Sequence, residues 1–231
     1  MTRKPKIELI LVTAHQLKTP LSALKWIFKM FLEGEAGQLT PNQMELIKKG
    51  DEANESMISL VNDFLNASRL EKNPAYKLEK NNFSLLVKSI IAENDVSIKR
   101  KRIDVELEMP PEDIYLICDA SSVKMAASNL IGNAVHYSPD WSKIAIKVEE
   151  RGNLIEFSVS DNGIGIPQHQ QKEIFSKFFR GDNATRSQKT GSGLGLYVAK
   201  KIIEDHGGKI WFESKENKGS KFYFTIPSKE K

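Results

Sequence analysis

Residues 155–167 read IEFSVSDNGIGIP. The first six, Ile155 to Ser160, alternate apolar and polar side chains and predict a strand. An Asp-Asn-Gly turn follows, then a second glycine at Gly165. Two readings fit these residues. Asp-Asn-Gly after a strand is a common turn. Equally, Asp161 can accept a hydrogen bond from an exocyclic amine, while Gly163 and Gly165 allow close backbone approach and a positive φ.

Outward from this stretch the pattern alternates between helices and strands. Upstream, the spacing predicts a helix over Leu85 to Arg100, strands near Val105 to Glu108 and Tyr115 to Cys118, a helix from Ser122 to Val135, and a strand near Ile144 to Val148. Downstream, Gln168 to Thr190 is polar and long for a structureless loop, which suits a lid. In that lid Phe175, Phe178 and Phe179 would be apolar anchors and Arg180 a cation for phosphate. GSGLGL (Gly191 to Leu196) then leads into a helix over Leu196 to Asp205, closed by Gly207 and Gly208. A hairpin of Ile210 to Glu213 with Phe222 to Ile226 follows. Helices on one face of a mixed sheet make an α+β sandwich.

The first third is different. Asn73 and Pro74 mark a linker, giving expected domains of 1–72 and 73–231. Residues 7–32 read as an amphipathic helix: Leu17, Leu21, Leu24, Phe28 and Phe31 share one side, Lys18, Ser22, Lys25 and Lys29 another. His15 falls beside the lysine stripe, so its imidazole is expected to face water or a partner domain. Thr19 is one turn on. Pro20 removes the donor that Gln16 would have used and should bend the helix. A second helix opens with Thr40 as N-cap, Pro41 at the first helical position and Gln43 three residues after the cap, and runs to about Leu70. Two such helices have more apolar surface than they can cover for each other, so the expected solution is a homodimer forming a four-helix bundle.

Bulk properties exclude several classes. The chain has 231 residues, 40% hydrophobic and 28% charged, which is ordinary for globular protein. Its net charge of +4 comes from interspersed residues and makes no case for nucleic acid. The run KRKR (Lys99 to Arg102) reads as the solvated last turn of a helix, where cations suit the dipole. A single cysteine, Cys118, excludes a disulfide framework and reads as a packed hydrophobe. No stretch has the roughly 18 apolar residues of a membrane span, and no signal-peptide core is present. The expected location is the cytoplasm, as a whole protein or as the cytoplasmic part of a longer sensor.

Five short segments share an order along the chain: AHQLKTPL (Ala14 to Leu21), NLIGNA (Asn129 to Ala134), DNGIGI (Asp161 to Ile166), IFSKFFR (Ile174 to Arg180) and GSGLGL. Together they resemble the boxes of sensor histidine kinases. The first 70 or so residues are similar to a dimerisation and histidine phosphotransfer domain. The remainder resembles the ATPase domain shared with gyrase, heat-shock chaperones and mismatch-repair proteins. A dinucleotide-binding reading needs GxGxxG directly after a strand, and no GxxxxGK[ST] phosphate loop or eukaryotic-type protein kinase signature set appears.

The resemblance implies ATP and Mg²⁺ as cofactors, His15 as phosphoacceptor, and an aspartate on a separate response-regulator receiver domain as the next acceptor. It makes Asn133 the direct Mg²⁺ ligand and Asn129 its support, and Asp161 the group that selects adenine. Gly163, Gly165, Ile166, Phe175, Arg180, Tyr137, Gly191, Gly193, Leu194, Gly195 and Leu196 complete the nucleotide site. In the related ATPases a glutamate that activates water stands where this chain has Asn129, so a chaperone-like or repair-type ATPase is excluded. Two positions depart from the pattern. Gln16 stands where Glu or Asp commonly takes the imidazole Nδ1 proton, and His136 where Lys or Arg usually reaches the phosphates. Thr19 matches the residue that positions water for dephosphorylating the regulator. The functional expectation is an ATP-dependent histidine kinase with phosphatase activity toward its partner. The alternative is a nucleotide-binding scaffold with little phosphotransfer, motivated by Gln16.

Overall fold

The computed structural model describes residues 4–72, 74–187 and 191–228, with side chains described at 16–72, 74–185 and 191–228. The chain divides into two compact units, residues 1–73 with 190–192, and residues 74–189 with 193–231.

The first unit is a helical hairpin. Helix α1 (Lys4–Leu32) runs continuously through Pro20. Helix α2 (Pro41–Leu70) begins at the reciprocal cap anticipated from sequence: the Gln43 amide donates to Thr40 Oγ1 at 3.4 Å and the Thr40 amide donates to Gln43 Oε1 at 2.9 Å. Gly50 lets the helices close around Phe28, since a Cβ at Gly50 would lie 2.8 Å from the Phe28 ring. Asn54 Nδ2 donates to the Leu21 carbonyl at 3.0 Å, and Lys25 pairs with Glu55 at 2.6 Å. Only part of the apolar stripe is covered. Leu21 is buried, Phe28 and Phe31 are half-buried, while Leu17 and Leu24 keep 49% and 41% of their surface exposed. Trp26, Ile27, Leu46, Met57 and Leu60 are exposed as well.

The second unit is an α+β sandwich. Its main sheet has five strands in the order β2 (Asp104–Glu108), β4 (Lys143–Arg151), β5 (Leu154–Ser160), β7 (Gly219–Pro227), β6 (Lys209–Lys215). The β2–β4 pair is parallel and the other pairs are antiparallel. Helices α3 (Phe83–Glu93), α5 (Ala120–Tyr137) and α7 (Gly195–Asp205) supply the second layer. Helix α5 buries Val123, Ala126, Ala127, Leu130, Ile131 and Ala134, the three-and-four spacing of a core-facing stripe. Phe83 meets Phe157 and Phe224 edge-on at 6.2 and 6.1 Å, and the latter two stack at 4.8 Å. All three are essentially fully buried.

Four details differ from the sequence reading. The helix expected over 85–100 is two helices, α3 and α4 (Asp95–Lys101), broken at Asn94, whose side chain bonds back to the Ile90 carbonyl at 2.8 Å. A short strand β1 (Glu79–Asn82) pairs with β3 (Tyr115–Cys118). Its sequence, EKNN, has no apolar alternation to betray it. The segment from Gln168 holds a 3-10 turn (Gln168–Gln170) and helix α6 (Asp182–Ser187), while its end, 188–190, lies outside the described residues. Finally, KRKR is not a wholly solvated turn, because the Lys101 ammonium bonds three main-chain carbonyls of the sandwich. Cys118 is packed as expected, and burial pushes its thiol up to about 11.

Candidate functional site

Helix α5 carries the first set of candidate residues and is fixed at its N-terminus by Asp119. That carboxylate accepts from the Ser122 amide (2.9 Å), the Ser121 hydroxyl (2.7 Å) and the Lys77 amide (3.1 Å). Burial pulls its pKa upward, but these hydrogen bonds together hold it at about 2. Asn129 and Asn133 follow one turn apart. Asn129 Nδ2 donates back to the Met125 carbonyl at 3.1 Å, and its Oδ1 lies where a Cβ on Gly195 would come within 2.7 Å. It is therefore packed at the meeting of α5 and α7. Asn133 is half-buried, and no group among the described residues hydrogen-bonds its amide. An amide oxygen so placed fits a hydrated Mg²⁺, which takes few protein oxygens.

At the C-terminus of α5 the His136 ring stands edge-on to Tyr137, with centroids 5.0 Å apart. Burial raises the Tyr137 pKa, and the Arg180 guanidinium bonded to its hydroxyl acts in the opposite direction. Arg180 is thus tied to the helix that carries both asparagines.

Asp161 ends β5 and is buried. Its Oδ1 accepts from the Gly163 amide at 2.8 Å and from the Ser220 amide at 3.3 Å, and its own amide donates to the Ser220 carbonyl at 2.9 Å. Neither bond uses Oδ2. Desolvation raises the Asp161 pKa, opposed by the two amide donors. The glycines differ in what they need. At Gly163 a Cβ would lie 2.5 Å from the Tyr137 carbonyl oxygen, so only close approach is required. Gly165 has φ 62° and a Cβ there would be 2.1 Å from the Lys215 carbonyl oxygen, so it requires both. Ile166 is half-buried, and its amide donates to Ser214 Oγ at 2.9 Å.

The lid segment is pinned at several points. Gln170 Oε1 accepts from the Asp182 amide at 3.1 Å, and Asn183 Nδ2 donates to the Gly165 carbonyl at 2.8 Å. Phe175 is half-buried edge-on to Phe212 at 5.9 Å, and Ile174, which was not singled out from sequence, is buried. Phe178 is no anchor: 62% of it is exposed and its backbone has φ 62°. Phe179 is half-buried. Gly193, at φ 68°, packs on this backbone, with a would-be Cβ 2.7 Å from the Phe178 carbonyl carbon. Leu194 is buried at the N-cap of α7, and its own side chain makes no cap hydrogen bond. Gly195 and the half-buried Leu196 begin it, so their amides belong to the first turn, whose donors have no partner within the helix.

The sandwich therefore gathers Asn129, Asn133, His136, Tyr137, Asp161, Gly163, Gly165, Ile166, Phe175, Arg180, Gly193, Leu194, Gly195 and Leu196 in one unit. Gly191, at φ 141°, clusters with the hairpin unit. Gln16 and Thr19 lie exposed on α1, and His15 belongs to that helix, with its side chain outside the described residues. Sequence reasoning missed Gly219 and Ser220, which seat Asp161: a Cβ on Gly219 would lie 2.0 Å from the Asp161 carbonyl oxygen. A glycine at the first position of the last strand was the available signal. Ser214, Asn183 and Gln171, whose Nε2 donates to the Ile166 and Ser214 carbonyls at 3.1 and 3.0 Å, left none, because polar side chains are unremarkable until their partners are known.

A family model described as His Kinase A (phospho-acceptor) domain matches residues 6–73, and one described as histidine kinase-, DNA gyrase B-, and HSP90-like ATPase matches residues 118–230. Sensor histidine kinase WalK of Bacillus subtilis is 32% identical over 96% of this chain and 37% of its own length. Circadian input-output histidine kinase CikA of Synechococcus elongatus is 32% identical over 96% of this chain and 30% of its own length. The chain thus spans about a third of these curated relatives. Among solved structures, the catalytic domain of histidine kinase ThkA is 34% identical, with 66% of this chain and 96% of that one covered and a TM-score of 0.59. Full-length ShkA in complex with AMPPNP shares the fold at a TM-score of 0.72 and 23% identity, covering 95% of this chain and 45% of that one. Among the described residues no helix is long and apolar enough to cross a membrane. This chain belongs to the sensor histidine kinase family and carries its catalytic core, a phosphoacceptor helical hairpin followed by an ATPase-type sandwich.

Proposed function

We propose that the chain is an ATP-dependent histidine kinase that phosphorylates itself on His15 and passes the phosphoryl group to an aspartate on a response-regulator receiver domain. The observation that carries this reading is the buried Asp161, held by backbone amides through one oxygen, in the same unit as the unbonded Asn133 side-chain amide and the glycine-led start of α7.

In this reading Asp161 Oδ2 accepts the adenine exocyclic amine. Ile166, Phe175, Tyr137 and Leu194 would bound the nucleotide, and Arg180, His136 and the amides of Gly195 and Leu196 would face its phosphates. Asn133 Oδ1 would hold Mg²⁺, with Asn129 fixing the helix face beside it. Mg²⁺ supplies charge neutralisation on the transferring group. The Nε2 of His15 attacks the γ-phosphorus in line: a P–N bond forms, the P–O bond to ADP breaks, and the imidazole gives up its Nδ1 proton to solvent. The Gln16 amide oxygen accepts from Nδ1–H and fixes the tautomer, but it takes no proton. Because Asn129 cannot act as a base toward water, ATP is kept for His15. Thr19, exposed one turn from His15, would orient water for dephosphorylating the regulator. The exposed Leu17, Leu24, Ile27 and Leu60 support a homodimer through the hairpin.

The test is incubation of the chain with Mg²⁺ and γ-labelled ATP, then treatment with acid and with alkali. Acid-labile, alkali-stable label lost in His15→Gln establishes the reading; label that survives that substitution overturns it. A second reading, favoured by Gln16 alone, is a nucleotide-binding dimer that signals by conformation. Tight ADP binding without any label would establish it instead.

A further inference from the structure

We propose that Lys101 is a positioning residue for the nucleotide pocket, acting through the C-terminus of α5. An α-helix leaves its last carbonyls without donors. In α5 this deficit is sharpened by sequence, because the residue four beyond Val135 is Pro139, which has no amide hydrogen. The Lys101 ammonium makes up the loss. It donates to the carbonyls of Val135 (3.0 Å), His136 (2.7 Å) and Ser138 (2.9 Å), using each of its three hydrogens once. A cation at this end also opposes the negative pole of the helix.

The lysine is itself held in register. Its carbonyl accepts from the Trp141 amide at 2.8 Å, and the Asp104 amide donates to the Ser142 carbonyl at 2.8 Å. Arg102, which ends α4 in the left-handed region at φ 54°, places its guanidinium 4.2 Å from the centre of the Trp141 ring. Lys101 and the residues that follow it are thus tied to the segment after α5.

From the clamped carbonyls a short run of contacts leads to the pocket. The Tyr137 carbonyl sits between two of them and presses on Gly163, where even a methyl group would not fit, and the Gly163 amide donates to Asp161 Oδ1. Tyr137 also bonds Arg180 of the lid, and Asn133 lies one turn back on the same helix. Releasing the clamp therefore lets the last turn of α5 shift, and Asp161, Arg180 and Asn133 shift with it. None of the three touches Lys101.

The proposal rests on the nucleotide-binding reading of this pocket. Its test compares the whole chain with Lys101→Met, Lys101→Gln and Lys101→Arg, using ADP with Mg²⁺ as the calorimetric probe and ATP in the labelling reaction. Circular dichroism and urea unfolding identify conditions in which each variant is folded. Lys101→Met is expected to raise the ADP dissociation constant and the KM for ATP by about tenfold, as loss of a charge-assisted hydrogen-bond set allows. The labelling rate at saturating ATP should fall much less. Lys101→Arg, which keeps the charge and its donors, should recover most of the affinity. A folded Lys101→Met with parental affinity and only a lower urea midpoint would show a merely structural lysine and overturn the proposal. If that variant does not fold, Lys101→Gln decides by the same criterion. Failure of the parent itself to bind ADP would count against the pocket, a result distinct from parental affinity in the variants.

Discussion

The hairpin and the sandwich solve the problem of burial in opposite ways. The sandwich closes on itself: Phe83, Phe157 and Phe224 interlock with essentially no exposed surface, and α5 buries an unbroken stripe. The hairpin buries Leu21 and leaves Leu17, Leu24, Trp26, Ile27, Leu46, Met57 and Leu60 open. One unit is complete as a single chain; the other has the apolar face of a half-built bundle. The difference separates a unit whose apolar surface is covered from within from one that leaves much of its apolar stripe open.

The sharpest way to break this comparison is to silence each unit in turn. His15→Gln should abolish phosphohistidine label while ADP affinity stays at the parental value. Asp161→Ala should abolish ADP binding and, with it, the label, although circular dichroism still shows a folded chain. Loss of ADP affinity in His15→Gln would mean that the two functions are not separable.

Next in size is Gln16, which belongs wholly to the hairpin. Gln16→Glu supplies a base for the Nδ1 proton and should raise the single-turnover labelling rate, by up to about 10² if the base contributes at the low end of the usual range. ADP affinity should not change. An unchanged rate would show that proton removal does not limit the reaction.

The energetics of the two units should also separate. Phe157→Ala removes a fully buried ring and should cost the sandwich about 3–5 kcal/mol in urea unfolding, independent of protein concentration. If the proposed homodimer forms through this face, Leu24→Ala should cost little at low concentration and more at high concentration. A concentration-independent effect at Leu24, with light scattering showing a monomer, would remove the dimer from the description.

The smallest expected effects are in pH, and they fall on the sandwich. Asp119, held at about 2 against an ordinary 3.8, binds fewer protons folded than unfolded. Its stabilisation is present above pH 3.8 and is lost as pH falls toward about 2. Asp161 runs the other way. Its raised pKa means that the folded state binds more protons, so stability declines as pH rises from 3.8 through the folded value. Asp161→Asn should therefore match the parent in urea midpoint at acidic pH and exceed it at neutral pH while failing to bind ADP. A lower midpoint at neutral pH would show that the two amide bonds to Oδ1 outweigh the cost of burying the charge.

Local chemistry made much of this legible. The Thr40 and Gln43 cap, the core stripe of α5, the strand before Asp161 and the last hairpin are each set by neighbours in sequence, through capping geometry and periodicity that operate over a turn or a pleat. The break at Asn94 was hidden because the flanking apolar spacing continues across it, and the side chain that interrupts the helix is polar and unremarkable in sequence. Strand β1 was hidden because EKNN pairs through its backbone and has no pattern of its own. Phe178 misled because one of a pair of aromatic residues in a polar segment reads as an anchor, whereas in the structure it is exposed, with its backbone at φ 62°.

By itself the sequence determined the two-part organisation, the family, and the residue types available for phosphotransfer and nucleotide binding, since each is written in short segments whose chemistry is local. Only the tertiary structure decided that the tight approach at Gly163 and Gly165 is to carbonyl oxygens of Tyr137 and Lys215, that Asp161 is seated by Ser220 from the far end of the chain, and that Lys101 closes α5. Those assignments join residues tens of positions apart, and such pairings are fixed by packing and by the need of each buried polar group for a partner, which no periodicity records.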